Sequence, residues 1–351
     1  MIEMRNIKKP GRYLGGKGEE SMESMLPLFP EEHITRFVDC FFGMGNVSRI
    51  YACGMINTEI VAYELERSLY TLHEVIRDDT LVEELISKIT KVKNTKENFD
   101  KSLEIVKAYN SHVMEFEKVD VALAELISIR FSRDNARNFW RNPESYKGRN
   151  YDTWTMAKKR AELEAQVQKF YYQMPVEIMD MHYKWKKISL YNANCMEYME
   201  QWGSDENFLF VDPPYLPSKR GVKMKDDKRP VNRGYMEDMS VNEHEVLIDK
   251  IINVSKAGAK CMVCSNFEID EQGYLIGVAD DPYTRLLQNG FRMVIVQKKY
   301  STVATHEIHS IDGGKVRQKK KPKVEVVYIN YQNIIGTWGL YKYMDYKDIV
   351  G

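Results

Sequence analysis

RFVDCFFGMGNVSRIYACGMINTEIVAY, residues Arg36–Tyr63, decides the fold class. RFVDCF (Arg36–Phe41) is apolar enough for a buried strand and runs into a glycine turn. Asn46–Cys53 then places its apolar residues at helical steps, with Asn46 suited to the N-cap. EIVAY (Glu59–Tyr63) reads as a second strand and Glu66–Arg77 as a helix after it. Strand, glycine turn, helix, strand is a βαβ unit, and its strands are parallel.

Outward from this unit the rhythm changes. From about Thr80 to Gln173 the pattern is helical, with leucines and isoleucines three and four residues apart, such as Leu81, Leu85 and Ile89. One polar, aromatic stretch interrupts it, Phe131–Trp154. The α/β rhythm returns with a strand at Ile188–Tyr191 and another at FLFVD (Phe208–Asp212), whose unbroken apolar run marks a strand buried on both faces. A helix over Val241–Val254, a strand over Ala259–Ser265 and a helix over Asp281–Asn289 closed by Gly290 follow. Phe291–Tyr300 and Val324–Tyr331 are strands joined by a long basic loop, with no helix between them, which predicts a terminal antiparallel hairpin. Residues 1–78 and 186–351 therefore form one domain, and 79–185 a mostly helical insertion.

The 351 residues exceed the needs of one small domain, and 43% apolar content is ordinary for a chain that buries a core. No apolar run nears the roughly 18 residues of a membrane span, and the basic start MIEMRNIKKPGRY lacks the apolar core of a secretory signal. Five cysteines, Cys40, Cys53, Cys195, Cys261 and Cys264, sit in apolar stretches and read as reduced thiols. Net charge is zero but unevenly spread. Arg130–Lys187 holds thirteen basic against seven acidic residues, Pro217–Arg233 seven against two, and Lys315–Lys323 six against none. Such segments form a cationic face for nucleic acid or solvated loops; charge alone leaves both open.

Chemistry concentrates in four places. Asp212-Pro213-Pro214-Tyr215 ends the FLFV strand, where open α/β sheets bind ligands. The prolines stiffen the backbone and offer no N–H, so nearby carbonyls can accept from a ligand. A carboxylate, a free carbonyl and a tyrosine face suit a planar ring bearing an amino group. Phe41-Phe42-Gly43-Met44-Gly45 follows the first strand, where glycines allow a sharp turn and close approach. It lacks the third glycine of a dinucleotide fingerprint. Glu64, just past the second strand, can accept both hydroxyls of a ribose, or can be a solvated residue favoured at a helix start. Tyr13-Leu14-Gly15-Gly16-Lys17 can wrap a ligand and present a cation, without the Walker spacing. Cys261-x-x-Cys264 has no second pair for a zinc site. His306-Glu307-Ile308-His309 lacks metalloprotease spacing and reads as a surface loop.

In this order, Tyr-x-Gly-Gly-Lys, D-x-F-x-G-x-G, an acid after the second strand and D-P-P-Y, the chain resembles the Dam-like (D12 class) N6-adenine DNA methyltransferases of the alpha group. Met262–Asn266 and Glu325–Tyr331 resemble that family's closing strands. The resemblance implies a class I methyltransferase Rossmann-like sheet with an inserted helical target-recognition domain. It implies S-adenosyl-L-methionine as donor, S-adenosyl-L-homocysteine as product and no metal. Donor contacts fall to Tyr13, Gly15, Gly16, Lys17, Asp39, Phe41, Gly43, Gly45, Glu64 and Asn194, with Asp212 at the boundary of donor and target. Asp212, Pro213, Pro214 and Tyr215 serve an adenine flipped from double-stranded DNA. The departures are Tyr13 where tryptophan is common, Cys40 where proline is common and Asn194 where an aspartate is usual.

For DNA, Arg133, Asn135, Arg137, Asn138 and Arg141 carry side chains of the types that pair with guanine and adenine edges. Lys219, Arg220, Lys319, Lys320 and Lys321 suit flanking phosphates. The resemblance further implies action in the cytoplasm of a bacterium or phage-infected host, with no membrane partner; a cognate endonuclease is not legible. Rival readings are the same chemistry on RNA adenine or cytosine N4, a non-catalytic DNA-binding protein on a degenerate fold, and a nicotinamide-dependent oxidoreductase. Cytosine enzymes usually carry Ser in place of Asp212, and the incomplete glycine fingerprint counts against the oxidoreductase.

Overall fold

The computed structural model describes residues 22, 24–54, 57–132, 137, 140, 155, 157, 161, 169–215, 239–269, 274–278, 280–296, 305–309, 315–319, 323–332 and 342–344. In chain order these form β1 (Arg36–Asp39), α1 (Asn46–Gly54), β2 (Glu59–Tyr63), α2 (Arg67–Arg77), α3 (Asp79–Ile89), α4 (Lys96–Asn110), α5 (Lys118–Arg130), α6 (Met174–Trp185) and β3 (Ile188–Tyr191). The short α7 (Cys195–Tyr198), β4 (Asn207–Val211), α8 (Val241–Lys256), β5 (Lys260–Ile269), β6 (Leu275–Ile276), α9 (Thr284–Leu287) and β7 (Arg292–Val296) follow. The last described strands are β8 (Thr305–His309), β9 (Lys315–Lys319), β10 (Lys323–Ile329) and β11 (Lys342–Met344).

Two compact units divide the chain: Phe41–Cys195 lies in one, and Glu20–Cys40, Met196–Leu216 and Met239–Gly351 in the other. In the first, β2 and β3 run parallel, pairing Ile60 with Ile188 through Tyr63 with Tyr191. Helix α2 buries Leu69, Leu72, Val75 and Ile76, and also Ser68, Thr71 and His73. A helix buried on so many sides needs polar partners, and the following helices supply them. Thr71 Oγ1 and Tyr109 Oη of α4 lie 3.0 Å apart, Ser68 Oγ donates to Glu125 of α5 at 2.8 Å, and the Ile76 carbonyl meets His182 Nδ1 of α6 at 2.7 Å. Arg49 of α1 pairs with Asp180 of α6 at 2.6 Å. The described helices of the stretch expected as an insertion, α3 to α6, thus pack on α2 inside this unit.

In the second unit β1, β4 and β5 run parallel. All five residues of β4 are buried, as its unbroken apolar run predicts. Phe37, Phe208 and Phe29 cluster there, with Phe29 edge-on to Phe208 at 5.3 Å; each such ring contributes on the order of 1.5–3 kcal/mol by leaving water. Strand β10 joins β5 antiparallel, β7 joins β10, and β11 joins β7. The expected terminal antiparallel pair is therefore β7 with β10, and the whole is the mixed α/β, Rossmann-like class read from the sequence.

Helix α8 shows how local chemistry sets its ends. Ser240 Oγ accepts the Glu243 N–H while Glu243 accepts the Ser240 N–H, a reciprocal capping box. At the other end the Gly258 N–H reaches Ser255 and the Ala259 N–H reaches Val254, the two bonds of a Schellman motif. Gly258 adopts φ +111°, and a Cβ there would stand 3.1 Å from the Asp205 amide nitrogen. This closed turn delivers the chain into β5.

Two expectations change. The helix read at Asp281–Asn289 shortens to Thr284–Leu287, with turns on either side. The stretch read as one long basic loop contains the β8–β9 hairpin, so His306–His309 lies in a strand; Ile308 stands opposite Val316 in its register. THEIH and KVRQK each hold only one aliphatic residue, too weak a pattern to stand out among the charges.

Candidate active site

The glycine turn after β1 and the acid after β2 meet in the first unit. Glu64 N–H donates to the Tyr191 carbonyl at 3.0 Å, continuing the β2–β3 pairing by one residue. Its own carbonyl accepts Asn192 Nδ2 at 2.8 Å. This fixes the side chain, whose Oε2 accepts the Gly43 N–H at 2.9 Å and whose Oε1 accepts the Glu66 N–H at 2.8 Å. Glu64 is 8% exposed. Burial, and then the neighbouring Glu66 charge, push its carboxyl up to about 8. In its ionised form the carboxylate offers about four acceptor positions, so each oxygen then keeps one for a further donor.

The turn is held from below by two residues the sequence reading did not single out. His73 Nε2 meets the Gly43 carbonyl at 2.7 Å, and Trp185 Nε1–H donates to His73 Nδ1 at 2.8 Å. The tryptophan can only donate, so Nδ1 is the acceptor and Nε2 carries the proton given to Gly43. Burial lowers the His73 imidazolium to about 4, which keeps the ring neutral. Phe42 lies edge-on to both rings. Gly45 adopts φ +66°, and a Cβ there would come within 2.5 Å of the Phe42 ring and 2.8 Å of Trp185. Only glycine fits. The signal available was a histidine on the apolar face of α2, between Leu69, Leu72 and Ile76.

Of the other expected donor residues, Phe41 and Asn194 are half-buried and Asp39 is buried at the end of β1. Tyr13, Gly15, Gly16 and Lys17 lie outside the described residues.

The second unit carries Asp212–Tyr215 directly after β4. Pro213 is buried, while Asp212, Pro214 and Tyr215 are half-buried. Tyr215 Oη donates to Asp212 Oδ1 at 3.2 Å. The Asp212 charge also raises the buried Tyr283 phenol, after the larger effect of burial and that of Asp281. Tyr283 Oη lies 2.8 Å from His244 Nδ1, and the Tyr283 ring stacks on Tyr328 at 6.2 Å. The His244–Tyr283 pair, far apart in sequence, gave no local signal. Cys261 and Cys264 are buried thiols on β5, not joined in a disulfide, and burial pushes the Cys261 thiol up, away from nucleophilic use.

The expected DNA residues fare unevenly. Arg137 was expected to face DNA. It is instead 6% exposed, with its guanidinium on Glu66 at 2.8 Å and on Glu125. A buried guanidinium paired with two carboxylates is withheld from a base edge. Lys319 ends β9. Arg133, Asn135, Asn138, Arg141, Lys219, Arg220, Lys320 and Lys321 lie outside the described residues. Among the described residues, no cluster of three or more His, Cys, Asp or Glu is placed to hold a metal ion, and no helix is long and apolar enough to cross a membrane.

A search of curated proteins finds no match to the chain. Against known families, residues 13–302 match the D12 class N6 adenine-specific DNA methyltransferases. That span covers most of the chain and contains the glycine turn, Glu64 and Asp212–Tyr215, and it makes the protein a DNA adenine methyltransferase. The chain belongs to the D12 class N6 adenine-specific DNA methyltransferase family.

Proposed function

We propose that this enzyme takes its methyl group from S-adenosyl-L-methionine and places it on N6 of an adenine flipped out of double-stranded DNA within a specific sequence. The observation that carries the reading is Asp212, half-buried directly after a fully buried strand and followed by two prolines and a tyrosine.

Adenine N6 is a weak nucleophile because its lone pair is delocalised into the ring. Asp212 accepts one N6 proton in a hydrogen bond, and the Pro213 carbonyl accepts the other. Both bonds favour a pyramidal nitrogen and return the lone pair to it. Tyr215 offers its ring as a stacking surface in place of the lost neighbouring bases; unstacking costs a few kcal/mol. Its hydroxyl, on Asp212 Oδ1 in this structure, marks the acceptor that the amino group would use.

The residues around Glu64 fit the donor. Each carboxyl oxygen holds one backbone N–H and keeps one acceptor position, which suits the two adjacent hydroxyls of a ribose. Gly43, Gly45 and Phe41 shape the loop beside it, and Asn194 would face the donor's adenine. When bound, S-adenosyl-L-methionine supplies an electrophilic methyl group on a sulfonium. The protein's contribution is alignment and charge placement, which carry most of the acceleration in such transfers. Lys219, Arg220, Lys319, Lys320 and Lys321 would bind flanking phosphates, and Arg133, Asn135, Asn138 and Arg141 would reach base edges.

Single-molecule sequencing of DNA from cells expressing the protein tests this reading. The expected result is N6-methyladenine in one recurring sequence. Methylation of cytosine, or of adenine without sequence preference, contradicts it.

A further inference from the structure

The buried ion pair of Arg137 has a function in none of the chemistry above, yet it adjoins the donor acid. Three carboxylates crowd the start of α2: Glu64, Glu66 and Glu125. Glu66 is the hinge of the group. Its N–H holds Glu64 Oε1 at 2.8 Å. Its side chain accepts Arg137 Nη1 at 2.8–3.0 Å and Asn110 Nδ2 at 3.2 Å. Glu125, fully buried, accepts Arg137 Nη2 and Ser68 Oγ. Burial alone drives such carboxyls toward protonation; one guanidinium bridging two of them opposes it. Arg137 also takes φ +57°, an unfavourable backbone for a side chain of its size. The chain holds a strained arginine here, on a segment otherwise rich in surface-type polar residues.

We propose that Arg137 is a positioning residue for the donor site: by bridging Glu66 and Glu125 it fixes the Glu66 backbone amide that orients Glu64 toward the donor's ribose. The inference rests on the reading of Glu64 given above. Without the guanidinium, Glu66 and Glu125 repel each other across a buried gap. The first turn of α2 relaxes, and the Glu66 N–H leaves Glu64. Lysine keeps one charge but cannot form both branches of the bridge.

The test uses the full chain with Arg137→Gln and Arg137→Lys. Calorimetric titration with S-adenosyl-L-methionine gives the donor Kd, and steady-state methylation of unmethylated genomic DNA gives kcat and the donor KM. Arg137→Gln is expected to raise donor Kd and KM about tenfold, within the 5–150-fold range of such couplings, with kcat at saturating donor within about threefold of the parent. Arg137→Lys is expected to fall between. If Arg137→Gln does not fold, Arg137→Lys alone decides: a raised donor Kd supports the proposal. Donor affinity unchanged in the variants, or a lowered kcat with unchanged donor Kd, overturns it. Failure of the parent chain to bind the donor overturns the Glu64 reading as well, so the two failures are told apart.

Discussion

The glycine turn with Glu64 and the Asp212–Tyr215 motif differ in burial. Glu64 is buried and gripped at its backbone N–H, its carbonyl and both carboxyl oxygens, and the turn rests on the His73–Trp185 pair. Asp212 is half-buried at the end of β4, accepts the Tyr215 hydroxyl and is followed by two prolines that stiffen the backbone. On the reading proposed above, Glu64 serves the donor, whose site must present one shape every cycle, and Asp212 serves a base that arrives from a duplex, so its carboxylate must stay reachable.

If this contrast is right, substitutions at the two places differ in kind. The largest effect is expected at Asp212. Asp212→Ala should lower methyl transfer on the order of 10²–10³-fold or more while urea unfolding and donor binding stay close to the parent. Loss of stability together with activity would erase the distinction. Next comes Gly45→Ala. The added methyl meets Phe42 and Trp185 in a left-handed backbone, so a loss of roughly 2–4 kcal/mol in urea unfolding is expected. Parent-like stability would show that the turn yields.

A subtler effect concerns pH. The Glu64 carboxyl lies near 8 in the fold against 4.5 for the free group. Between those values the folded chain binds the proton more tightly than the unfolded one, so Glu64's contribution falls as pH rises through that window. Glu64→Gln removes the dependence. Its melting temperature relative to the parent should therefore climb from pH 5 to pH 8, and a flat difference would contradict the assignment of that carboxyl. The smallest effect is expected at Tyr215→Phe. It loses one half-exposed hydrogen bond to Asp212 and keeps its ring, so stability should change by less than about 1 kcal/mol.

Much of this was legible in the sequence where the signal is local. RFVD, EIVAY and FLFV match their strands because a buried strand needs only an apolar run at the right length, and ISLY matches through its alternation of buried and exposed residues. Ordered motifs along the chain pointed to the family, and Glu64 and Gly43, twenty-one residues apart, do meet. What escaped the reading depends on distant partners. Trp185 lies 112 residues from His73, and Arg137 lies 71 from Glu66. Within its own stretch Arg137 looks like its polar neighbours. Only the fold reveals that two carboxylates claim it.

The central claim, that a sulfonium methyl group reaches adenine N6 under the control of Asp212, is tested most directly by incubating the protein with methyl-labelled S-adenosyl-L-methionine and unmethylated duplex DNA, then digesting the DNA to nucleosides for mass spectrometry. The account predicts label in N6-methyldeoxyadenosine for the parent and at least about a hundredfold less for Asp212→Ala. Label in N4-methyldeoxycytidine, no label in DNA, or equal label from both proteins would contradict it.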